Sequence, residues 1–227
     1  SSFFDSLMAY IMIIAFLGFS GFFTWLYGSD IFFRGQASLQ VFFGIAYWTL
    51  FFFIPALTMR LLAEENRSGT IELLLTKPIT SWQVIMGKFS GTLLLICIAL
   101  VLTLPYYFTV ASLGNIDHGA VWMGYLGLIL MSCTYISIGI FASSLSNNQI
   151  VAFLVAIFIG VFFHIIFDVL TGSLTGILGE VFNYLSLSTH FDSISRGVLD
   201  TKDLIYFLSI AFVGLVSTEA VMRKRKV

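Results

Sequence analysis

The chain has 227 residues, of which 59% are hydrophobic, 17% aromatic and only 10% charged, with a formal net charge of −1 and a mean hydropathy of +0.99. Soluble domains carry roughly 25% charged residues, so this composition excludes a water-soluble enzyme, a nucleic-acid binder and a disordered tail. Net charge this close to zero also gives no global field to recruit an anionic partner. A polytopic membrane protein is what fits.

A helical span needs about 20 mostly apolar residues. In chain order, the charge-free stretches are Ser6–Ser29, Gly35–Met59 and Phe89–Ile116. Next comes Gly119–Phe163, too long for one span and broken by the polar cluster Ser143-Ser144-Leu145-Ser146-Asn147-Asn148-Gln149. Leu204–Thr218 closes the series and extends through Glu219 to Met222. This predicts one transmembrane domain over residues 1–227 with six spans, near 6–27, 38–59, 84–110, 120–143, 149–170 and 203–222. A barrel would require alternation of period two. Runs such as Leu93-Leu94-Leu95-Ile96 and Phe51-Phe52-Phe53-Ile54 are apolar on every face and favour helices. The first stretch has no basic residue before it and is too long for a cleaved signal peptide, so it is read as a retained span.

Orientation follows the basic residues. Eight of the 11 lie on one side: Arg60, Arg67, Lys77 and Lys88 around the second-to-third connection, and Arg223, Lys224, Arg225 and Lys226 at the end. Arg34, Arg196 and Lys202 lie on the other, among Asp30, Asp117, Glu180, Asp192, Asp200 and Asp203. Both termini are therefore expected in the cytoplasm, with residues 171–203 outside. Cys97 and Cys133 fall inside spans and do not suggest a disulfide framework.

The most informative cytoplasmic segment is Arg60–Lys88. Thr70 can cap a short helix reaching Thr76, with Glu72 in its favourable first turn and Pro78 to stop it. Thr80 and Gln83 have capping-box spacing for the helix that follows. The short helix would present Ile71, Leu74 and Leu75 to water, either as a loop lying at the lipid surface or as a docking element for a cytoplasmic partner. The chain lacks a Gly-x-x-x-x-Gly-Lys-(Ser/Thr) phosphate loop. Force for uphill transport would have to arrive through this surface.

The stretch Glu64-Glu65, then Gly69-Thr70-Ile71-Glu72-Leu73-Leu74-Leu75-Thr76-Lys77-Pro78-Ile79, resembles the signature of ABC-2 type transporter permeases, where it also follows span two. Ser188–Phe207, with His190, Asp192, Arg196 and Asp203, looks like the stretch before the last span in the gliding-motility permeases and the nitrous-oxide-reductase maturation permease. The resemblance implies an all-α, six-helix, type V exporter-like permease. It would pair with a second permease, identical or homologous, in a bacterial inner membrane, above two copies of an ABC ATPase that hold the ATP and magnesium. No cofactor, metal or catalytic residue is expected in this chain, which would not itself be an enzyme. The family's coupling helix would be Thr70–Thr76. The ATPase-docking residues would be Glu64, Glu65, Arg67, Gly69, Thr70, Ile71, Glu72, Leu74, Leu75 and Pro78.

On the outer side, Gly176–Leu187 is mostly apolar yet too short to cross the bilayer. It is expected to dip in as a re-entrant helix pair, either as an outer gate or as a plain interfacial cap. Candidate gate residues are His164, Asp168, Glu180, Asn183, His190, Asp192 and Arg196. His164 and Asp168 are four apart and would share a helical face, as a structural pair or as a substrate or proton site. Glu219 and Arg223 have the same spacing and read as a structural pair. Gly87-x-x-x-Gly91 and Ala152-x-x-x-Ala156-x-x-x-Gly160 permit close helix approach, within the bundle or across a dimer. Pro55 and Pro105 can each kink a span.

Three other classes compete. Type II CAAX-processing proteases carry Glu-Glu-x-x-x-Arg, but Gly69 stands where that Arg belongs, and the histidines lie across about 30 Å of hydrocarbon from the glutamates. A secondary transporter would show broken helices with midplane charges. A membrane anchor or assembly factor would move nothing. The reading favoured here is an exporter permease for a lipid-linked, glycan or other amphipathic substrate.

Overall fold

The computed structural model describes residues 7–27, 37–69 and 80–224. The described residues are helical, with no strand among them. In order they form α1 (Leu7–Trp25), α2 (Gln40–Thr58), α3 (Ala63–Ser68), α4 (Ser81–Val101), α5 (Leu104–Leu113), α6 (His118–Leu145) and α7 (Gln149–Val161). A π-turn (Phe162–Ile166) leads into α8 (Phe167–Ser173), followed by α9 (Ile177–Leu185), α10 (Leu187–Ser195) and α11 (Thr201–Lys224). Among the described residues, five continuous stretches are long and apolar enough to cross a membrane: Gln40–Ser68, Ser81–Leu113, His118–Leu145, Gln149–Ser173 and Thr201–Lys224. α1 is apolar but shorter.

α6 is the centre of the bundle. It packs against α2, α4, α7, α10 and α11, and its 28 residues extend about 42 Å. Small residues on it admit its neighbours. A Cβ on Gly139 would collide with Thr58 of α2, and one on Gly124 with the Phe43 ring. Tyr135, Phe42, Phe51 and Phe207 are the bulky side chains buried around this axis. With lipid as apolar as the core, such interfaces are held by close packing and buried hydrogen bonds. Thr134 Oγ1 of α6, for instance, donates to the Phe207 carbonyl of α11 at 3.2 Å.

The two helix-packing motifs behave differently. Ala152, Ala156 and Gly160 are buried inside the bundle, where a Cβ on Gly160 would meet Phe51 at 2.9 Å. Gly87 and Gly91 have nothing within 4 Å of a built Cβ. Among the described residues nothing packs closely on them. The prolines differ as well. Pro55 sits within the unbroken α2. Pro105 starts α5 after a break at Leu102–Thr103, where Thr103 Oγ1 donates to the Leu100 carbonyl at 2.6 Å. Glu219 and Arg223 form no ion pair among the described residues.

The turn between α2 and α3 is secured from α6. Ser143 Oγ accepts from the Leu62 and Ala63 amides at 3.0 Å each and donates to the Met59 carbonyl at 3.0 Å. One buried hydroxyl thus satisfies three backbone groups freed by the bend. α3 ends on Gly69, whose φ of +70° is the left-handed C-terminal stop that favours glycine.

Candidate functional site

The predicted residues fall at two ends of the bundle. At the α3–α4 end, Glu64 and Arg67 are exposed on α3. Glu65 is turned inward. Lys88 Nζ of α4 donates to Glu65 Oε1 and to the Leu61 carbonyl, at 2.5 Å each. That ion pair is largely buried, at 17% and 26% exposure, and ties α3 to α4. The Thr80–Gln83 capping box that starts α4 is complete: Gln83 Oε1 accepts from the Thr80 amide at 3.0 Å, and Thr80 Oγ1 accepts from the Gln83 amide at 3.2 Å. The expected coupling helix, with Thr70, Ile71, Glu72, Leu74, Leu75 and Pro78, lies outside the described residues.

At the opposite end, α9 and α10 form a helix pair. Gly176, at φ +77°, precedes α9, and Ser186 Oγ caps α10 by accepting from the Thr189 amide at 3.4 Å. Between this pair, α8 and the start of α11 lies a cavity of about 640 Å³. It brings together six of the seven predicted gate residues: Asp168, Glu180, Asn183, His190, Asp192 and Arg196. Lys202 and Asp203 line it as well. Asn183 Oδ1 accepts from Thr189 Oγ1 at 3.0 Å, holding α9 to α10.

His190 anchors the site. Its Nε2 faces the Tyr184 carbonyl at 3.1 Å, an oxygen that only accepts, so Nε2 carries a proton. Its Nδ1 lies 2.6 Å from Asp203 Oδ1, with one proton between them. Both side chains are almost wholly buried, at 5% and 1% exposure. The Tyr206 ring stacks on the imidazole at 4.0 Å, and its hydroxyl donates to the Leu185 carbonyl at 2.6 Å. Three helices thus meet on one imidazole. Sequence reasoning named His190 but not Asp203 as its partner. Their separation of 13 residues, across a helix boundary, follows no helical or strand period.

His164, the seventh gate residue, lies in the π-turn and is buried. Its Nδ1 meets Tyr135 Oη at 2.6 Å, and Tyr47, Trp48 and Phe51 pack on its ring with centroids 4.1–4.5 Å away. No hydrogen bond or ion pair joins it to Asp168. A π-turn closes its bonds five residues apart, which widens the helix there but keeps residues four apart near one face. The turn leaves His164 inside the aromatic cluster and Asp168 exposed. Both residues nevertheless line a second, smaller cavity of about 250 Å³ together with Asp192.

Charge in this region is unbalanced. Burial lifts the Asp192 carboxyl above the usual carboxylate range, the charge on Asp168 adds to the rise, and Arg196 opposes it. Asp200, at the start of α11, is held below that range by the Lys202 amide and side chain. Among the described residues no group of three or more His, Cys, Asp or Glu could hold a metal ion.

No curated protein matches the chain. Residues 33–216 match the family described as ABC-2 family transporter protein, a span that runs from just before α2 well into α11 and includes both cavities. The chain is a multi-pass membrane protein that belongs to the ABC-2 transporter family, whose members are permease subunits that typically work with an ABC ATPase.

Proposed function

We propose that this chain is the permease subunit of an ATP-driven exporter, with α1 as a sixth span, working in a bacterial inner membrane with both termini in the cytoplasm. It pairs with a second permease, identical or homologous, above two ATPase subunits that carry the ATP and magnesium. The ATPase docks on the segment from Thr70 to Thr76, flanked by exposed Glu64 and Arg67. The α9–α10 pair is a re-entrant outer gate over the transport path. The substrate is a lipid-linked, glycan or other amphipathic molecule, and the chain is of the gliding-motility permease kind.

The observation that supports this reading best is the Lys88 clamp. Residues 70–79 leave α3 and enter α4, and those two helices are joined by the Glu65–Lys88 pair and the Lys88–Leu61 bond. Force applied to the intervening segment would therefore act on α2 and α4 as a unit.

The test is affinity purification of the chain from native membranes in mild detergent, with mass spectrometry of its companions and ATPase assays of the complex. A companion with a phosphate loop is expected. Glu64→Lys should abolish ATPase stimulation by the permease while the chain elutes normally. Partners lacking any nucleotide-binding subunit would move the reading to an anchor, an assembly factor or a secondary transporter.

A further inference from the structure

We infer that the small cavity beside His164 takes the primary ammonium head of an amphiphile whose apolar tail lies in the groove between α1 and α2. The inference rests on the permease reading and gives its substrate site a chemistry.

The cavity is smaller than those that enclose whole ligands, about 300–1,000 Å³, and suits a head group alone. Its walls carry two carboxylates, Asp168 and Asp192, and three aromatic rings, Tyr47, Trp48 and Phe191. Among the described residues no Lys or Arg lines it. The nearest guanidinium acting on Asp192, that of Arg196, lines the larger neighbouring cavity instead. Carboxylates beside aromatic faces attract a cation twice over, by direct charge and by the ring quadrupole. A phosphate or carboxylate head would meet two like charges.

His164 narrows the cation further. It lines the cavity, and its Nε2 is buried with no hydrogen-bond partner. When Nδ1 donates to Tyr135 Oη, Nε2 becomes an acceptor. A primary ammonium has an N–H to offer it, whereas a quaternary ammonium has none.

The tail has a place as well. An apolar groove of about 510 Å³ runs between α1 and α2, walled by Phe19, Phe23, Val41, Ile45 and Trp48. It shares Gly44 and Trp48 with the small cavity. A Cβ on Gly44 would have nothing within 4 Å among the described residues, so the space is open where groove and cavity meet.

The test is photolabelling in membranes containing the full chain. The probe is hexadecylamine with a diazirine in its tail, and the comparisons are its N-acetyl amide and its trimethylammonium analogue. The amine should label peptides of α1 and α2 about tenfold more than the amide, a difference of about 1.4 kcal/mol in binding. The trimethylammonium probe should fall between them. The D168N/D192N double variant should bring the amine down to the amide level. Equal labelling by amine and amide in the unmodified chain would overturn the inference, and that comparison depends on no variant folding. Preference surviving in D168N/D192N would also overturn it. ATPase co-purification is read separately, so loss of head-group preference alone leaves the permease reading standing.

Discussion

The His190–Asp203 pair gives a graded prediction. With Nε2 committed to the Tyr184 carbonyl, a neutral His190 offers Nδ1 only as an acceptor. Asp203→Asn supplies an N–H to that atom and should cost about 1 kcal/mol, the worth of an ordinary hydrogen bond. Asp203→Leu fills the same space but leaves Nδ1 buried and unpaired, at about 1–3 kcal/mol. His190→Ala is the harshest. Asp203 Oδ2 has no hydrogen-bond partner among the described residues, so losing the imidazole strands both carboxylate oxygens at 1% exposure. Leaving one member of a buried pair uncompensated costs about 3–5 kcal/mol, and the stack on Tyr206 is lost too. The H190L/D203L double variant leaves no ring nitrogen or carboxylate unpaired, freeing only the part-buried Tyr184 carbonyl, and should be milder than His190→Ala. Thermal unfolding of each purified variant in the same detergent would rank them. Asp203→Asn as damaging as His190→Ala, or a double variant worse than both singles, would refute the reasoning.

Two further predictions follow from exposure and charge. Cysteines at Asn115 and Asn147, both exposed and at opposite ends of α6, should react with an impermeant thiol reagent from opposite sides of the membrane; labelling from one side would overturn the topology. Ser144 is unsuited to such a label because it is buried and bonded to the Phe141 carbonyl, and Asp117 because it caps α6. Asp192→Asn should raise stability at pH 7.5. A carboxyl lifted above its ordinary value of 3.8 contributes stability that is present in acid and lost as pH rises through the folded-state value. Because Asp192 is substantially exposed, the gain should be only a few tenths of a kcal/mol. It should shrink as the melting pH is lowered towards 3.8, and a gain that stays constant down to that pH would count against the burial that lifts this carboxyl.

The helices were legible because lipid leaves the backbone few alternatives: a long charge-free stretch must satisfy its own amides and carbonyls. The Thr80–Gln83 box was legible because capping is local. Hydropathy, however, gives the position of a span along the chain and not its rotation. Nothing in Gly87-x-x-x-Gly91 distinguishes it from Ala152-x-x-x-Ala156, yet the second faces the core while the first meets none of the described residues closely. The polar cluster at residues 143–149 read as a turn, but Ser143 works at a distance, as a cap for the bend after α2. Glu65 read as a docking residue in the same way as Glu64, and only the fold shows it spent on Lys88. The acidic cavity was half legible. Residue types and their side of the membrane singled out its lining, while Asp203 was hidden by its distance from His190 along the chain.

The π-turn before Asp168 has an implication for how length, rather than residue identity, specifies this site. A regular helix rotates about 100° per residue. A π-turn spreads over five residues roughly the rotation that four make in an α-helix. Removing one residue from Phe162–Ile166 would therefore restore an unbroken α-helix and leave α8, with Asp168, facing nearly the same way. What would move is the turn itself, and with it His164, whose ring is seated against Tyr47, Trp48 and Phe51. The number of residues between Gly160 and Asp168 is thus diagnostic of the histidine's seat and not of the carboxylate's.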